Sequence, residues 1–112
     1  MSAQDRQNLL LGTLARLVRG CDINPWNPLG ATRLMKLVYL VEAYNRLLHG
    51  EPYGAANFIR YQYGPFSQDV YRARDTLVEQ NALAVRKEAL PAGGRLVEVR
   101  PGPCLDRALA AY

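Results

Sequence analysis

Few side chains in this 112-residue chain could make or break bonds, and their spacing does not let them act together. The one histidine, His49, stands beside Gly50 at the end of an apolar helical run, where it is placed to meet the last free carbonyls of a helix. Cys21 and Cys104 lie far apart and form no CxxC pair, so they outline neither a disulfide framework nor a zinc ribbon. Ser67 sits in GPFSQ, which lacks the second glycine of a nucleophile elbow. No GxxxxGKS/T or GxGxxG string is present, and the glycines of PAGG belong to a turn rather than to the start of a helix, so no phosphate cradle is expected. Asp22, Glu42 and Glu51 are isolated acids. Hydrolysis, group transfer and metal chemistry each need a convergent set of groups. The sequence therefore predicts no enzyme, no catalytic residue, no metal site and no cofactor.

What the chain offers instead is tyrosine, with seven against two phenylalanines. Tyr39, Tyr44, Tyr53, Tyr61, Tyr63 and Tyr71 cluster in or next to the middle third. A tyrosine packs its ring while keeping its hydroxyl wet, which suits the edge of a core or a contact surface. The net charge is +4, from fourteen bases against ten acids. Residues 1–65 carry seven bases and four acids, whereas 66–80 carry Arg72 and Arg74 against Asp69, Asp75 and Glu79. No block of five like charges forms a polybasic arm.

The hydrophobic share is 49% and the charged share 21%, as in one ordinary globular domain, and a chain of this length buries enough surface for one core without staples. One domain over residues 1–112 is expected. No apolar run approaches the roughly 20 residues of a membrane span, and MSAQDRQN has neither the basic nor the apolar part of a secretion signal, so a cytoplasmic location is expected.

Ser2 and Asp5 have the spacing of a capping box and open a first helix. Its stripe is Leu10, Leu14, Leu17 and Val18, and Gly20 is placed to end it. CDINPWNPLG is a loop, with Trp26 folded back on the core. From Ala31 to His49 apolar residues cover most of the circumference, which predicts the central helix, closed by Gly50 and Pro52. Ala55 to Tyr63 is a short strand or an irregular aromatic segment, which period alone does not separate. Gly64-Pro65 reads as a turn. Ser67 then caps a third helix over about Gln68 to Gln80, with Asp69 favourable in its first turn and Phe66 and Tyr71 spaced as a hydrophobic staple. Val70, Leu77 and Val78 supply its buried stripe. Leu83 and Val85, then LPAGG, then Val97 and Val99 read as a β-hairpin. CLDRALAAY can begin another helix with little room to run before residue 112.

Two strings carry a resemblance. TRLMKLVYLVEAYNRLLHGEPY, followed by FIRYQYGPFSQDVYRARDTL, resembles the SocA-like antitoxin family, also called the Panacea domain. The family pattern KLxYLxxxYxLxxxGxPL is met by Lys36, Leu37, Tyr39, Leu40, Tyr44, Gly50 and Pro52. Tyr63, Gly64, Pro65, Val70, Tyr71 and Leu77 meet its second part, YGPVxxxVYxxLxxL. Phe66 stands where a small aliphatic residue is common and Arg74 where leucine is often seen, and the carboxy-terminal part is shorter than in many relatives. The resemblance implies a non-enzymatic domain that binds and neutralises a cognate protein toxin. Related sequences also occur as phage-associated proteins.

The expected fold is thus α+β: three main helices, with a C-terminal β-hairpin resembling a wing. Tyr39, Tyr61, Tyr63, Gly64, Pro65, Phe66 and Tyr71 are the expected partner-binding residues, and a homo-oligomer is compatible with the same reading. The rival reading is a winged-helix regulator whose hairpin lays Arg86, Lys87, Arg95 and Arg100 against DNA phosphates. Against it stand a third helix with three acids to two arginines and a spacing between helices two and three far longer than a helix-turn-helix allows.

Overall fold

The computed structural model describes residues 2–21, 29–50, 56–62 and 64–112. The expectations for Trp26, Pro52 and Tyr63 lie outside these residues.

Helix α1, Ala3–Cys21, opens on the capping box its sequence spells. The Asp5 amide donates to Ser2 Oγ at 3.0 Å, and the Ser2 amide donates back to Asp5 Oδ2 at 3.4 Å. The helix does not stop at Gly20, which keeps a negative φ and is followed by one more helical residue. A lone glycine costs a helix only about 1 kcal/mol, too little to end one whose preceding turns are packed. Leu10, Leu11, Leu14, Ala15 and Val18 are all buried, a face broader than the expected stripe.

Helix α2 spans Ala31–His49 as its pattern predicts. Gly50 ends it in the left-handed conformation, and its amide donates to the Arg46 carbonyl at 2.8 Å. His49 is exposed, and the carbonyl closed here is satisfied by the glycine amide. The expectation that α2 is the central helix is overturned: it buries only Leu34, Met35 and Val38, near its start. The central position belongs to α1, which packs against α2 and against the later helices and hairpin described below. Apolar period counts the residues able to be buried; neighbours decide which of them are.

Of the aromatic segment, residues 59–61 are strand and 56–58 are irregular. β1, Ile59–Tyr61, pairs antiparallel with β2, Gly64–Phe66, in the register Ile59 to Phe66, Arg60 to Pro65 and Tyr61 to Gly64. Gly64 and Pro65 are therefore strand residues and not the turn itself. Gly64 has φ +114°, which a residue with a Cβ adopts only under strain. A ribbon of two strands leaves outer edges where Pro65 needs no ladder partner.

Helix α3, Gln68–Glu79, begins after Ser67, but the Ser67 hydroxyl makes no cap bond. Its side chain is buried and Oγ has no hydrogen-bond partner, while its amide donates to Met35 Sδ at 3.3 Å. Packing against α2 has taken the side chain that local preference assigns to the helix end. The far end of α3 closes as a Schellman motif: the Ala82 amide donates to the Leu77 carbonyl at 2.9 Å and the Asn81 amide to that of Val78 at 3.0 Å. Asn81 takes the left-handed conformation at φ 59°.

The expected hairpin is present as β3, Leu83–Ala89, and β4, Arg95–Pro101, with Val85 opposite Val99. It is not a free arm, because β4 bridges at Glu98 to Gly30 and the Val99 amide donates to the Leu29 carbonyl at 2.8 Å. The count of three main helices is also corrected. CLDRALAAY forms a fourth, α4, Leu105–Ala111, which packs on α1 with Leu105 and Ala108 buried. An Arg19–Asp106 ion pair and a 2.9 Å hydrogen bond from Gln80 Nε2 to the Tyr112 hydroxyl hold it in place. The fold is α+β, with four helices and two small antiparallel sheets among the described residues.

Candidate protein-binding surface

The β1–β2 ribbon and the start of α3 bring most of the expected contact residues together. With no side chain on Gly64 opposite it, the Tyr61 ring lies diagonally across the ribbon against Phe66, centroids 5.6 Å apart. Phe66 meets Tyr71 edge-on at 5.5 Å, so the staple read from the spacing is formed. The Arg74 guanidinium sits 4.7 Å from the Tyr71 ring centroid, which explains how an arginine fits a position where leucine is often seen. Tyr61 is 52% exposed and Ile59 61%. Pro65, Phe66 and Tyr71 are half-buried and hold the ribbon to the helix. Asp69 adds a polar tie, accepting from the Asn57 amide at 3.0 Å.

Tyr39 stands apart from this row. It packs edge-on against Phe58 at 5.3 Å, on the flank of α2 that faces the lead into the ribbon. Tyr63 lies outside the described residues.

A second surface is not legible in the sequence as one. Along the last three turns of α2, Leu40 (58% exposed), Tyr44 (63%), Leu47 (80%) and Leu48 (58%) fall at helical spacing. Leu40, Tyr44 and Leu47 make an almost wholly apolar patch with Leu37, Val41, Ala43 and Leu17 of α1, and Leu48 continues it one turn beyond Tyr44. Its only signal is the i, i+3, i+4 recurrence, which by itself points to the core.

The four hairpin bases do not converge. The register puts Arg86 and Arg100 on one face of the hairpin and Lys87 and Arg95 on the other. Arg86 pairs with Glu88 at 3.5 Å and Arg100 with the largely buried Glu98 at 2.8 Å. Arg95 lines a cleft with Arg33, Lys36 and Tyr71 at the start of α2, with Lys87 on the same hairpin face opposite Val97 and Arg86 and Arg100 on the other.

Among the described residues, no three His, Cys, Asp or Glu side chains are grouped to hold a metal, and no helix is long and apolar enough to cross a membrane. Cys21 and Cys104 are both free thiols.

Residues 34–92 match the family model described as Antitoxin SocA-like, Panacea domain, which is just over half of the chain. The matched stretch takes in all but the first three residues of α2, the ribbon, α3 and β3. No curated protein and no solved structure matches the chain.

Proposed function

This chain belongs to the SocA-like antitoxin, Panacea domain family, and from that premise we propose that it neutralises a cognate protein toxin by direct contact. The contact is made by the aromatic row of the ribbon, Tyr61, Phe66 and Tyr71, with Ile59 beside it and Tyr39 on the neighbouring flank. Gly64 and Pro65 set the backbone that carries the row.

One observation carries this reading: large apolar and aromatic side chains stand half out of the surface on a frame that holds them still. Tyr61 is braced by Phe66, and Phe66 by Tyr71 on a packed helix. Rings fixed before contact lose little entropy on binding, which is the property of residues that dominate protein interfaces. Because Tyr61 is already half covered by its neighbours, covering the rest contributes on the order of 1 kcal/mol, roughly fivefold in affinity.

Co-expression with the product of the adjacent open reading frame tests the proposal. Wild-type protein is expected to restore growth to cells poisoned by that product, and Tyr61→Asp or Ile59→Asp to restore it poorly. Ile59 is largely exposed and its change leaves the core untouched, whereas Tyr61→Asp also gives up the ring contact with Phe66, so an unchanged circular-dichroism spectrum is required of that variant. A neighbour harmless on its own, or full rescue by the double variant, would overturn the proposal.

A further inference from the structure

We propose that the exposed half of α2 is a self-association face, on which a second copy of this chain packs its own α2 antiparallel about Tyr44.

The face has the form of a helix-packing seam. Leu37, Val41, Tyr44 and Leu48 recur at four-, three- and four-residue steps, and Leu40 and Leu47 widen the same stripe. From Leu37 to Leu48 the seam is roughly 16 Å long, enough for a helix crossing. Such a stripe ordinarily lies against another helix, yet among the described residues only α1 reaches its edge, through Leu17. Leu47 is the most exposed large apolar residue described.

The charge pattern selects the occupant. The seam's flanks over its last turns are Ala43 and Asn45, both uncharged, and the charged residues of these turns, Glu42 and Arg46, point to the far side, where they line the hollow beside Tyr39 and Phe58. A chain of net charge +4 can place this face against its own copy without setting like charges opposite each other. A two-fold axis at Tyr44 pairs Leu40 with Leu48 of the other copy and Val41 with Leu47, so the seam complements itself, as an interface between identical copies must. Covering the exposed parts of these side chains on both copies buries on the order of 1,000 Å², near the lower bound for specific association. The dimer is accordingly expected at micromolar concentration and dissociates on dilution. The aromatic row stays clear of the axis, on the ribbon beyond the opposite flank of α2.

Sedimentation of the purified chain alone, across a concentration series, tests this without any toxin. Wild type is expected to approach twice the 12.5 kDa chain mass, and Leu47→Glu or Leu40→Glu to remain monomeric with an unchanged circular-dichroism spectrum. Tyr44→Cys is expected to form an oxidised dimer linked at position 44, beyond any cross-linking that Cys21 and Cys104 give in wild type. A wild type that stays monomeric throughout would overturn the proposal, as would a dimer undisturbed by either glutamate. A monomeric wild type whose toxin rescue is lost in Leu47→Glu would give the face to the toxin instead.

Discussion

Replacing Gly102 with alanine should cost this protein a large part of its stability, although the change adds one methyl group at a half-exposed position. Gly102 follows β4 and lies against the end of α3. A Cβ built there falls 2.4 Å from the Asn81 carbonyl oxygen and 2.9 Å from the Ala82 carbonyl carbon. Both are backbone atoms and cannot swing aside as a side chain could. Ordinary carbon–oxygen contacts lie near 3.3 Å, so the two segments must separate by roughly 1 Å. That movement strains the hydrogen bonds that join them, Gly102 N–H to the Ala82 carbonyl at 2.9 Å and Cys104 N–H to the Asn81 carbonyl at 2.8 Å. Each is worth about 1 kcal/mol; straining the pair forfeits about half of their combined contribution, and overpacking adds about 1–3 kcal/mol, giving a loss of about 2–4 kcal/mol. For a chain of this size that lowers Tm by about 8–15 °C. Thermal and urea unfolding followed by circular dichroism measure it. Gly20→Ala is the control, because a Cβ there meets nothing within 4 Å and the residue is helical; it should raise stability by about 0.5–1 kcal/mol. A Gly102→Ala protein melting within about 2 °C of wild type, a margin of about 0.5 kcal/mol, would refute the close approach of α3 and the strand end.

Ser67→Ala should leave stability unchanged or raise it by up to about 1 kcal/mol, since it removes a buried hydroxyl that has no partner; a loss of about 1 kcal/mol or more in urea unfolding would mean that the cap bond forms in solution. Gly64→Val should destabilise by about 1–3 kcal/mol, because its φ of +114° excludes a branched side chain even though a Cβ would meet only Lys36 Cε, at an ordinary 3.8 Å; unaltered melting would place Gly64 in ordinary strand geometry. Ser2→Ala should lower stability by about 0.5–1 kcal/mol and fray the first turn of α1, with faster amide exchange at Asp5 as the direct readout.

Features that depend on near neighbours along the chain are legible in the sequence itself. The Ser2–Asp5 box, the limits of α2, the Phe66–Tyr71 staple and the β3–β4 hairpin each rest on groups a few residues apart, whose spacing fixes their geometry locally. The resemblance carried by the residues around Lys36–Tyr44 and Gly64–Tyr71 is legible for the same reason. Tertiary structure alone decided what depends on distant partners. Ser67 has every local property of a cap, and lost that role when its side chain was buried where the β2–α3 junction meets Met35 of α2. Gly102 looks like a turn residue, and its need for a missing side chain arises from Asn81 and Ala82, some twenty positions earlier. The apolar circumference of α2 is the plainest case. A sequence records which side chains would leave water if they could. Among the described residues the fold buries only those in the first turns of that helix, because α1 holds the centre and α2 packs against it by one end.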